Sequence, residues 1–208
     1  MQNNNKKNSR INALTENALL MALAFVLSLF ELKFLPYGGS ITLASMVPII
    51  LISYRRGIRW GLLSAFAFGL LNMFTGMSGV GGMSPFSTIM ILFIDYILAY
   101  TMIGFGGLFR HKVKSKRIAL SLGTFVSIFL RFLCHFISGY IFFSEYAEWF
   151  FGETGEFGRI IMANFTGKSL SVIYSIIYNS TYIIPEMIIS VIVCIFLSFS
   201  DKIVDIKE

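Results

Sequence analysis

The chain has 208 residues, of which 56% are hydrophobic and 13% are charged, and its mean hydropathy is +0.75. A soluble globular domain carries about 25% charged residues, so these values exclude that class. The net charge of +6 does not indicate a nucleic-acid partner, because the basic residues lie in short clusters between apolar runs, as topology signals do. These runs are about twenty residues long, the length that a helix needs to cross a lipid bilayer. They predict a single all-α, polytopic membrane domain.

The apolar runs predict six membrane-spanning helices joined by shorter polar segments. Their predicted ranges are residues 11–32, 41–53, 60–74, 86–109, 118–143 and 169–200. The second range is short for a full crossing of about 30 Å. Residues 1–10 form a predicted polar, basic tail and residues 201–208 a second polar tail, so the membrane domain covers residues 11–200. We therefore expect a multi-pass protein of the cell membrane.

The lysines and arginines predict the orientation of these helices. Thirteen of the 17 fall on one side of the predicted spans, and Arg131 lies within a span. The opposite side carries Lys33, Arg159 and Lys168. Because basic residues are enriched in cytoplasmic loops, we expect both the N terminus and the C terminus in the cytoplasm.

The predicted fifth helix carries an arginine and a histidine within the sequence RFLCHFISGYIFF. Placing an ionisable side chain at the centre of a bilayer costs about 2.5–3.5 kcal/mol or more, so such residues are functional candidates by default. Arg131, His135, Gly139 and Phe143 repeat every four residues and share one helix face. This face needs polar and aromatic partners on the neighbouring helices.

Polar residues of the last three predicted helices lie at similar depths. Counted from the outer helix ends, Asp95, His135 and Asn179 are about 12–15 Å below the outer surface, at a rise of about 1.5 Å per residue. Unrelated polar residues would not be expected to align in this way. We predict a pocket that opens to the outside between the fourth, fifth and sixth helices.

The residue types around this pocket favour an organic cation as its ligand. Asp95 supplies a negative charge, and Asn179 supplies hydrogen-bond donors and an acceptor. The available aromatic residues are Tyr96, Phe143, Tyr174, Tyr178 and Tyr182. Tyr174, Tyr178 and Tyr182 share one stripe of their helix, and Asn179 lies about 140° from Tyr174 around it. We therefore expect only some of these aromatic residues to face inward. A carboxylate beside aromatic rings attracts a delocalised cation through ion-pair and cation–π interactions.

Each of these polar residues also has a purely structural interpretation. Asp95 and Arg131 can neutralise each other as an ion pair between helices. The tyrosines can be ordinary core or interface residues. Glu186 lies about two turns beyond Asn179 on nearly the same helix face, and we favour a structural hydrogen-bonding role for it.

The sequence contains no motif of a catalytic or nucleotide-binding site. HExxH, GxSxG and paired-aspartate patterns are absent, and the glycine-rich segment at residues 76–85 lacks the Lys-Ser or Lys-Thr ending of a phosphate-binding loop. Cys134 and Cys194 lie within apolar runs, where cysteine behaves as a small hydrophobic residue. We therefore expect neither an enzyme nor a bound cofactor or metal. Any active transport must draw its energy from a partner or from an ion gradient.

Five segments of the chain form a recognisable pattern when they are taken in order. They are TENALLMALAFVLS, PYGGSITLASMVPIILISYRRG, IDYILAY, LGTFVSIFLRFLCHFISGYIFFSEYA and YSIIYN. Between Leu14 and Ser200 the chain resembles the thiamine-specific substrate-binding (S) components of energy-coupling factor transporters. The resemblance implies a six-helix membrane protein that captures extracellular thiamine with high affinity. It also implies assembly with a transmembrane coupling subunit and two cytoplasmic ATPases, with Ala18 and Ala22 of the first helix on the docking face.

The resemblance also implies particular ligand contacts. Asp95 stands where the family commonly places a carboxylate near the ligand. The matching ligand-contacting positions are Tyr96, His135, Tyr174 and Asn179. Phe143 falls where some members have a stacking tryptophan, and Arg131 falls where some have lysine. In the first loop Gly39 occupies the place of a tryptophan in some members, and Tyr37 could take over its stacking role.

The leading hypothesis is therefore a thiamine-binding S component. An alternative of the same class is an S component for another vitamin or for a thiamine precursor. A different class is a proton-coupled secondary carrier that uses Asp95 and His135 as a proton relay. A last alternative is a structural membrane subunit, whose polar residues only hold the helices together.

Overall fold

The structure, a computed structural model, describes residues 2–33, 39–76 and 83–205. The α-helices in chain order are α1 (Gln2–Leu29), α2 (Val47–Arg56), α3 (Ile58–Gly76), α4 (Pro85–Ile91), α5 (Ala99–Met102), α6 (Lys116–Phe142), α7 (Ala147–Gly152), α8 (Gly155–Asn164), α9 (Gly167–Leu197) and α10 (Asp201–Val204). The remaining elements are a π-helical segment (Leu92–Leu98), two 3-10 segments (Ile103–Gly107 and Ser144–Tyr146) and the strands β1 (Glu31–Lys33) and β2 (Ser40–Thr42).

Five helical segments of the described chain are long and apolar enough to cross a bilayer. They are Ile11–Leu29, Ile58–Gly76, Pro85–Gly107, Lys116–Phe142 and Gly167–Leu197. Each overlaps a predicted span, and the predicted class of a helical, multi-pass membrane protein is confirmed. The remaining predicted span, residues 41–53, corresponds to β2 and to the 10-residue helix α2, which is only about 15 Å long. The number of six crossings and the location of both termini in the cytoplasm stay predictions.

Both predicted polar tails contain helical residues. Helix α1 already begins at Gln2, so residues 2–10 extend the first helix. In the second tail, Asp201 and Asp205 contact the Lys116 ammonium at 2.8 and 2.5 Å. The hydrogen bond from Lys116 holds the pKa of the Asp201 carboxyl below its usual range.

A small hairpin joins the first two predicted helices. Its strands include residues 31–32 and 41–42, so the predicted ranges 11–32 and 41–53 extend too far at these ends. Strands β1 and β2 pair antiparallel, with Glu31 opposite Thr42 and Lys33 opposite Ser40. Each strand has three residues, too few for a clear alternation of polar and apolar side chains. Strand β2 contacts α9, and this contact places the hairpin against the polar part of that helix.

Helices α6 and α9 pack closely along the centre of the fold. A methyl group added at Gly139 of α6 would lie 2.4 Å from the Ser175 hydroxyl of α9. That hydroxyl donates a hydrogen bond to the Phe136 carbonyl at 2.7 Å. Small residues at such a crossing let two membrane helices approach and hydrogen-bond to each other. This close approach brings the polar residues of α6 and α9 together.

Basic residues from separate predicted cytoplasmic clusters are neighbours at one end of the fold. The Arg55 guanidinium contacts the Glu16 carboxylate of α1 at 2.7 Å, and Arg56 bonds to the same carboxylate. Arg110 donates a hydrogen bond to the Arg55 carbonyl. This arrangement is consistent with the orientation that the distribution of lysine and arginine predicts.

Candidate ligand-binding cavity

A cavity of about 240 Å³ lies inside the fold. Its walls come from the C-terminal end of α1, the hairpin, α3, the π-helical segment, α5, α6 and α9. The predicted site residues that line it are Asp95, Tyr96, Arg131, His135, Phe143, Tyr174 and Asn179. The fold therefore brings together residues that are as much as 84 positions apart in the chain. Their role in ligand binding stays a prediction.

The π-helical segment Leu92–Leu98 carries the central carboxylate of the cavity. Its residues Asp95 and Tyr96 both line the cavity although they are adjacent in the chain. Short π-helical insertions in α-helices are frequently found at functional sites. The two Asp95 oxygens accept hydrogen bonds from two residues of α6: His135 Nδ1 lies 2.9 Å away and the Ser138 hydroxyl 2.7 Å away.

The contacts of His135 define which of its nitrogens carries the proton. Arg131 Nε lies 3.3 Å from His135 Nε2, and a guanidinium can only donate. Nε2 therefore acts as the acceptor, so the proton of the neutral ring is on Nδ1 and is donated to Asp95.

Arg131 forms its ion pair with Glu186 of α9 and not with Asp95. Arg131 Nη1 lies 3.0 Å from Glu186 Oε2, and the two side chains are only 7% and 1% exposed. The guanidinium also lies over the Tyr100 ring at 4.6 Å and donates to Met46 Sδ at 3.0 Å. The interpretation of Asp95 and Arg131 as a mutual ion pair is therefore wrong. The favoured structural role of Glu186 agrees with these contacts.

An aromatic wall is formed by Tyr174, Tyr178 and Tyr182, which all line the cavity together with Asn179. The expectation that only some of the available aromatic residues face inward is wrong, because the cavity extends around a wide sector of α9 and is also lined by Tyr96 and Phe143. The rings of successive tyrosines are 5.5 and 6.1 Å apart. Phe150 packs edge-on behind the first two, at 5.5 and 5.7 Å. The wall is thus supported from outside the cavity.

Asn179 is held in place by three neighbours. Its amide nitrogen donates to the Ser175 carbonyl at 2.8 Å and to the His135 carbonyl at 3.3 Å. Its oxygen accepts a hydrogen bond from the Tyr182 hydroxyl at 2.5 Å. Asp95, His135 and Asn179, which the sequence predicts at one depth, are therefore neighbours. His135 bonds to Asp95 through its ring and to Asn179 through its carbonyl.

Tyr96 is positioned by α3 and by its own helix. Its hydroxyl donates to the Gly76 carbonyl at 3.2 Å. Its ring stacks parallel to the Tyr100 ring at 6.2 Å, with an angle of 4° between the planes. Tyr100 thereby links Tyr96 to the guanidinium of Arg131.

Several cavity residues are absent from the sequence-based set of site residues. They are Ser28, Glu31, Ser40, Thr42, Asn72, Thr75 and Tyr100. Asn72 could have been found, because it is an amide within the apolar run FGLLNMF. Glu31 and Thr42 could not, because they reach the cavity only through the hairpin.

The remaining residues that the sequence analysis named have different positions. Tyr37 and the glycine-rich segment at residues 77–82 lie outside the described residues. Gly39, at the start of β2, lines the cavity, and its N–H donates to the Tyr178 hydroxyl at 3.3 Å. Ala18 and Ala22 lie on α1 and are exposed, away from the cavity.

The charged side chains that line the cavity favour a ligand with a positive charge. The ionised side chains among its lining residues are Glu31, Asp95 and Arg131. Because Arg131 is paired with Glu186, it does not neutralise the Asp95 carboxylate. The Asp95 side chain is only 15% exposed, and a largely desolvated carboxylate attracts a positively charged ligand strongly.

These features define a multi-pass membrane protein with an internal, anionic and aromatic cavity suited to a small organic cation. Residues 14–149 match the family model described as "Thiamine transporter protein (Thia_YuaJ)", and the chain belongs to this family. It is therefore a transport protein and not an enzyme.

Relatives and a solved structure agree with this family. The chain is 31% identical to thiamine transporter ThiT of Bacillus subtilis over 192 residues, which cover 86% of each chain. It is 24% identical to thiamine transporter ThiT of Lacticaseibacillus paracasei over 156 residues, or 68% of this chain and 73% of that protein. The solved structure of ThiT from Listeria monocytogenes has the same fold, with a TM-score of 0.71 and 24% identity over 95% of this chain and 100% of that one.

Proposed function

We propose that this protein captures extracellular thiamine as the membrane-embedded S component of an energy-coupling factor transporter. The observation that carries the proposal is the Asp95 carboxylate, held by His135 and Ser138 in a cavity with an aromatic wall. Thiamine joins a thiazolium, which is a delocalised cation, to an aminopyrimidine with hydrogen-bonding edges. Both parts match the chemistry of the cavity.

The thiazolium would lie against the aromatic rings. A cation over an aromatic face gains about 0.5–2 kcal/mol, with the larger value where water is excluded. The rings available at the cavity are those of Tyr96, Phe143, Tyr174, Tyr178 and Tyr182. The carboxylate of Asp95 and the amide of Asn179 would take the polar edges of the aminopyrimidine.

Energy for uptake would come from partner subunits. The sequence has no nucleotide-binding loop, so ATP hydrolysis requires the two cytoplasmic ATPases and the transmembrane coupling subunit that the resemblance implies. Ala18 and Ala22 are small, exposed and four residues apart on α1, which suits close packing against another membrane helix. We propose this face as the docking site of the coupling subunit.

The secondary carrier would use Asp95 and His135 as a proton relay, and uptake driven by a pH gradient without ATPases separates it from the S component. A vitamin precursor is the nearer alternative, because the aminopyrimidine alone could occupy the polar part of the cavity. A titration with the free aminopyrimidine alcohol separates these two ligands: thiamine should bind at least about tenfold more tightly if the thiazolium contacts contribute 1.4 kcal/mol or more.

Uptake by liposomes tests the proposed mechanism. Vesicles that contain this protein with a coupling subunit and both ATPases should accumulate labelled thiamine when ATP is enclosed on the ATPase side. Vesicles with this protein alone and a pH gradient should not. Accumulation driven by the pH gradient without ATPases would refute the S-component proposal and support the carrier.

A further inference from the structure

Glu186 lies behind the cavity wall and contacts two wall residues from different elements. Its Oε2 accepts a hydrogen bond from the Arg131 guanidinium of α6 at 3.0 Å. Its Oε1 accepts the Thr42 backbone N–H of β2 at 3.3 Å and also the Thr42 hydroxyl. Arg131 and Thr42 line the cavity, whereas Glu186 is 1% exposed. One buried carboxylate therefore joins α9 to α6 and to the hairpin.

The contacts on either side extend this connection. The Thr42 hydroxyl oxygen is 2.6 Å from the Ser45 hydroxyl, which precedes α2. On the other side, Arg131 bonds to His135 and His135 to Asp95. A continuous series of hydrogen bonds thus runs from the carboxylate at the centre of the cavity to the strand at its wall.

The hairpin depends on such anchors, because strands of three residues supply few hydrogen bonds of their own. An isolated two-stranded hairpin is marginally stable at best. The described anchors of β2 on α9 are the bond between Gly39 and Tyr178 and the bonds between Thr42 and Glu186. Glu186 is the stronger of the two anchors, because its acceptor is charged.

We propose that Glu186 is a positioning residue of the cavity, which fixes β2 and Arg131 in the wall and thereby slows the release of the ligand. The inference rests on the proposed capture of thiamine for its effect on ligand release. Its structural part, the fixing of β2, can be tested without any ligand.

Thr42→Val is the most selective variant, because valine keeps the shape of threonine and removes only the hydroxyl, with its bonds to Glu186 and Ser45. Thr42→Ser is the matched control, because serine keeps that donor. Glu186→Gln is a second variant: it keeps the size of the side chain but leaves the Arg131 charge without its counterion. Because this change can impair folding, its purified protein is first compared with the wild type by size-exclusion chromatography.

The first readout is the mobility of the hairpin in ligand-free protein. Leu32 of β1 is 60% exposed, so Leu32→Cys accepts a nitroxide spin label, while Cys134 and Cys194 are buried. We expect a more mobile electron paramagnetic resonance spectrum for Thr42→Val and Glu186→Gln, and an unchanged one for Thr42→Ser. The same spectrum in Thr42→Val as in the wild type would overturn the proposal.

The second readout is the dissociation rate of labelled thiamine. We expect it to rise about tenfold in Thr42→Val, the effect of losing one hydrogen bond to a charged acceptor, and to stay near the wild-type value in Thr42→Ser. An unchanged rate in Thr42→Val would overturn the role of Glu186 in release while leaving thiamine capture intact. Failure of the wild type to bind thiamine would instead refute the proposed function, and the mobility comparison would still decide whether Glu186 fixes the hairpin.

Discussion

Arg131 and Glu186 face each other between α6 and α9, 3.0 Å apart, with side chains that are 7% and 1% exposed. This pairing explains how a cationic side chain can line a cavity that we propose to bind a cationic ligand. Its charge is neutralised from behind the wall, so that the charge of Asp95 remains available. The guanidinium in turn orients His135 through Nε2.

Replacing only one member of the Arg131–Glu186 pair should destabilise the protein strongly. An uncompensated charge left in the interior costs about 3–5 kcal/mol. We therefore expect Arg131→Met and Glu186→Leu each to lower the midpoint of thermal unfolding in detergent, measured by circular dichroism. Because a buried pair can be replaced by apolar residues at little cost, the double variant should recover most of the loss. Additive losses in the double variant would show that the two residues act independently.

Gly139 should be intolerant of a side chain. A Cβ atom at this position would lie 2.4 Å from the Ser175 hydroxyl and 3.1 Å from the Asn179 amide nitrogen. We expect Gly139→Ala to reduce the free energy of unfolding by about 1–3 kcal/mol, the usual cost of overpacking. Gly152→Ala is the control, because a Cβ there meets no atom within 4 Å. Equal unfolding midpoints for the two variants would contradict the close contact of α6 and α9.

The Tyr182 hydroxyl should contribute to binding by orienting Asn179. It donates to the Asn179 oxygen at 2.5 Å, and a hydrogen bond of this kind is worth about 1 kcal/mol. We expect Tyr182→Phe to weaken thiamine binding about fivefold in a calorimetric titration. Tyr140→Phe, on α6 outside the cavity lining, should leave the affinity unchanged. A Tyr182→Phe affinity equal to that of the wild type would show that Asn179 is not oriented for the ligand by this bond.

The exposed face of α1 should be required for uptake but not for binding. Ala18→Trp and Ala22→Trp would place bulk where the coupling subunit is proposed to pack. We expect both variants to bind thiamine normally and to lose ATP-driven uptake in liposomes. Ile192→Trp, at a position of α9 that is 47% exposed, is the matched control and should retain uptake. Loss of uptake in the control as well would mean that bulk on any lipid-facing helix is harmful.

The long helices and much of the cavity could be predicted from the sequence, because both depend on local patterns. Apolar runs of membrane length mark α3, α6 and α9 to within about two or three residues of their ends. The four-residue spacing of Arg131 to Phe143 also determines which face of α6 is polar, and all residues of that face line the cavity.

The remaining features depend on contacts that no local pattern contains. The hairpin is too short to show strand periodicity, so the approach of Glu31 and Thr42 to the cavity was not foreseen. The choice of Glu186 over Asp95 as the partner of Arg131 depends on the packing of α9 against α6. The π-helical segment, which turns both Asp95 and Tyr96 inward, likewise has no marker in the residues Leu92–Leu98.

Thiamine binding to the detergent-purified protein tests the central claim most directly. Isothermal titration calorimetry is preferable to tryptophan fluorescence, because neither Trp60 nor Trp149 is among the residues that line the cavity. Asp95→Asn keeps the shape of the carboxylate and removes its charge, and Asp201→Asn is a control at an exposed carboxylate.

We expect the wild type and Asp201→Asn to bind one thiamine per chain with the same affinity. Asp95→Asn should bind at least about tenfold more weakly, since hydrogen bonds to a charged group contribute about 1.5–3 kcal/mol. Equal affinities in the wild type and Asp95→Asn would contradict the proposed contact of the Asp95 carboxylate with thiamine. The absence of any binding heat for thiamine in the wild type, repeated at a second temperature, would contradict the proposed function itself.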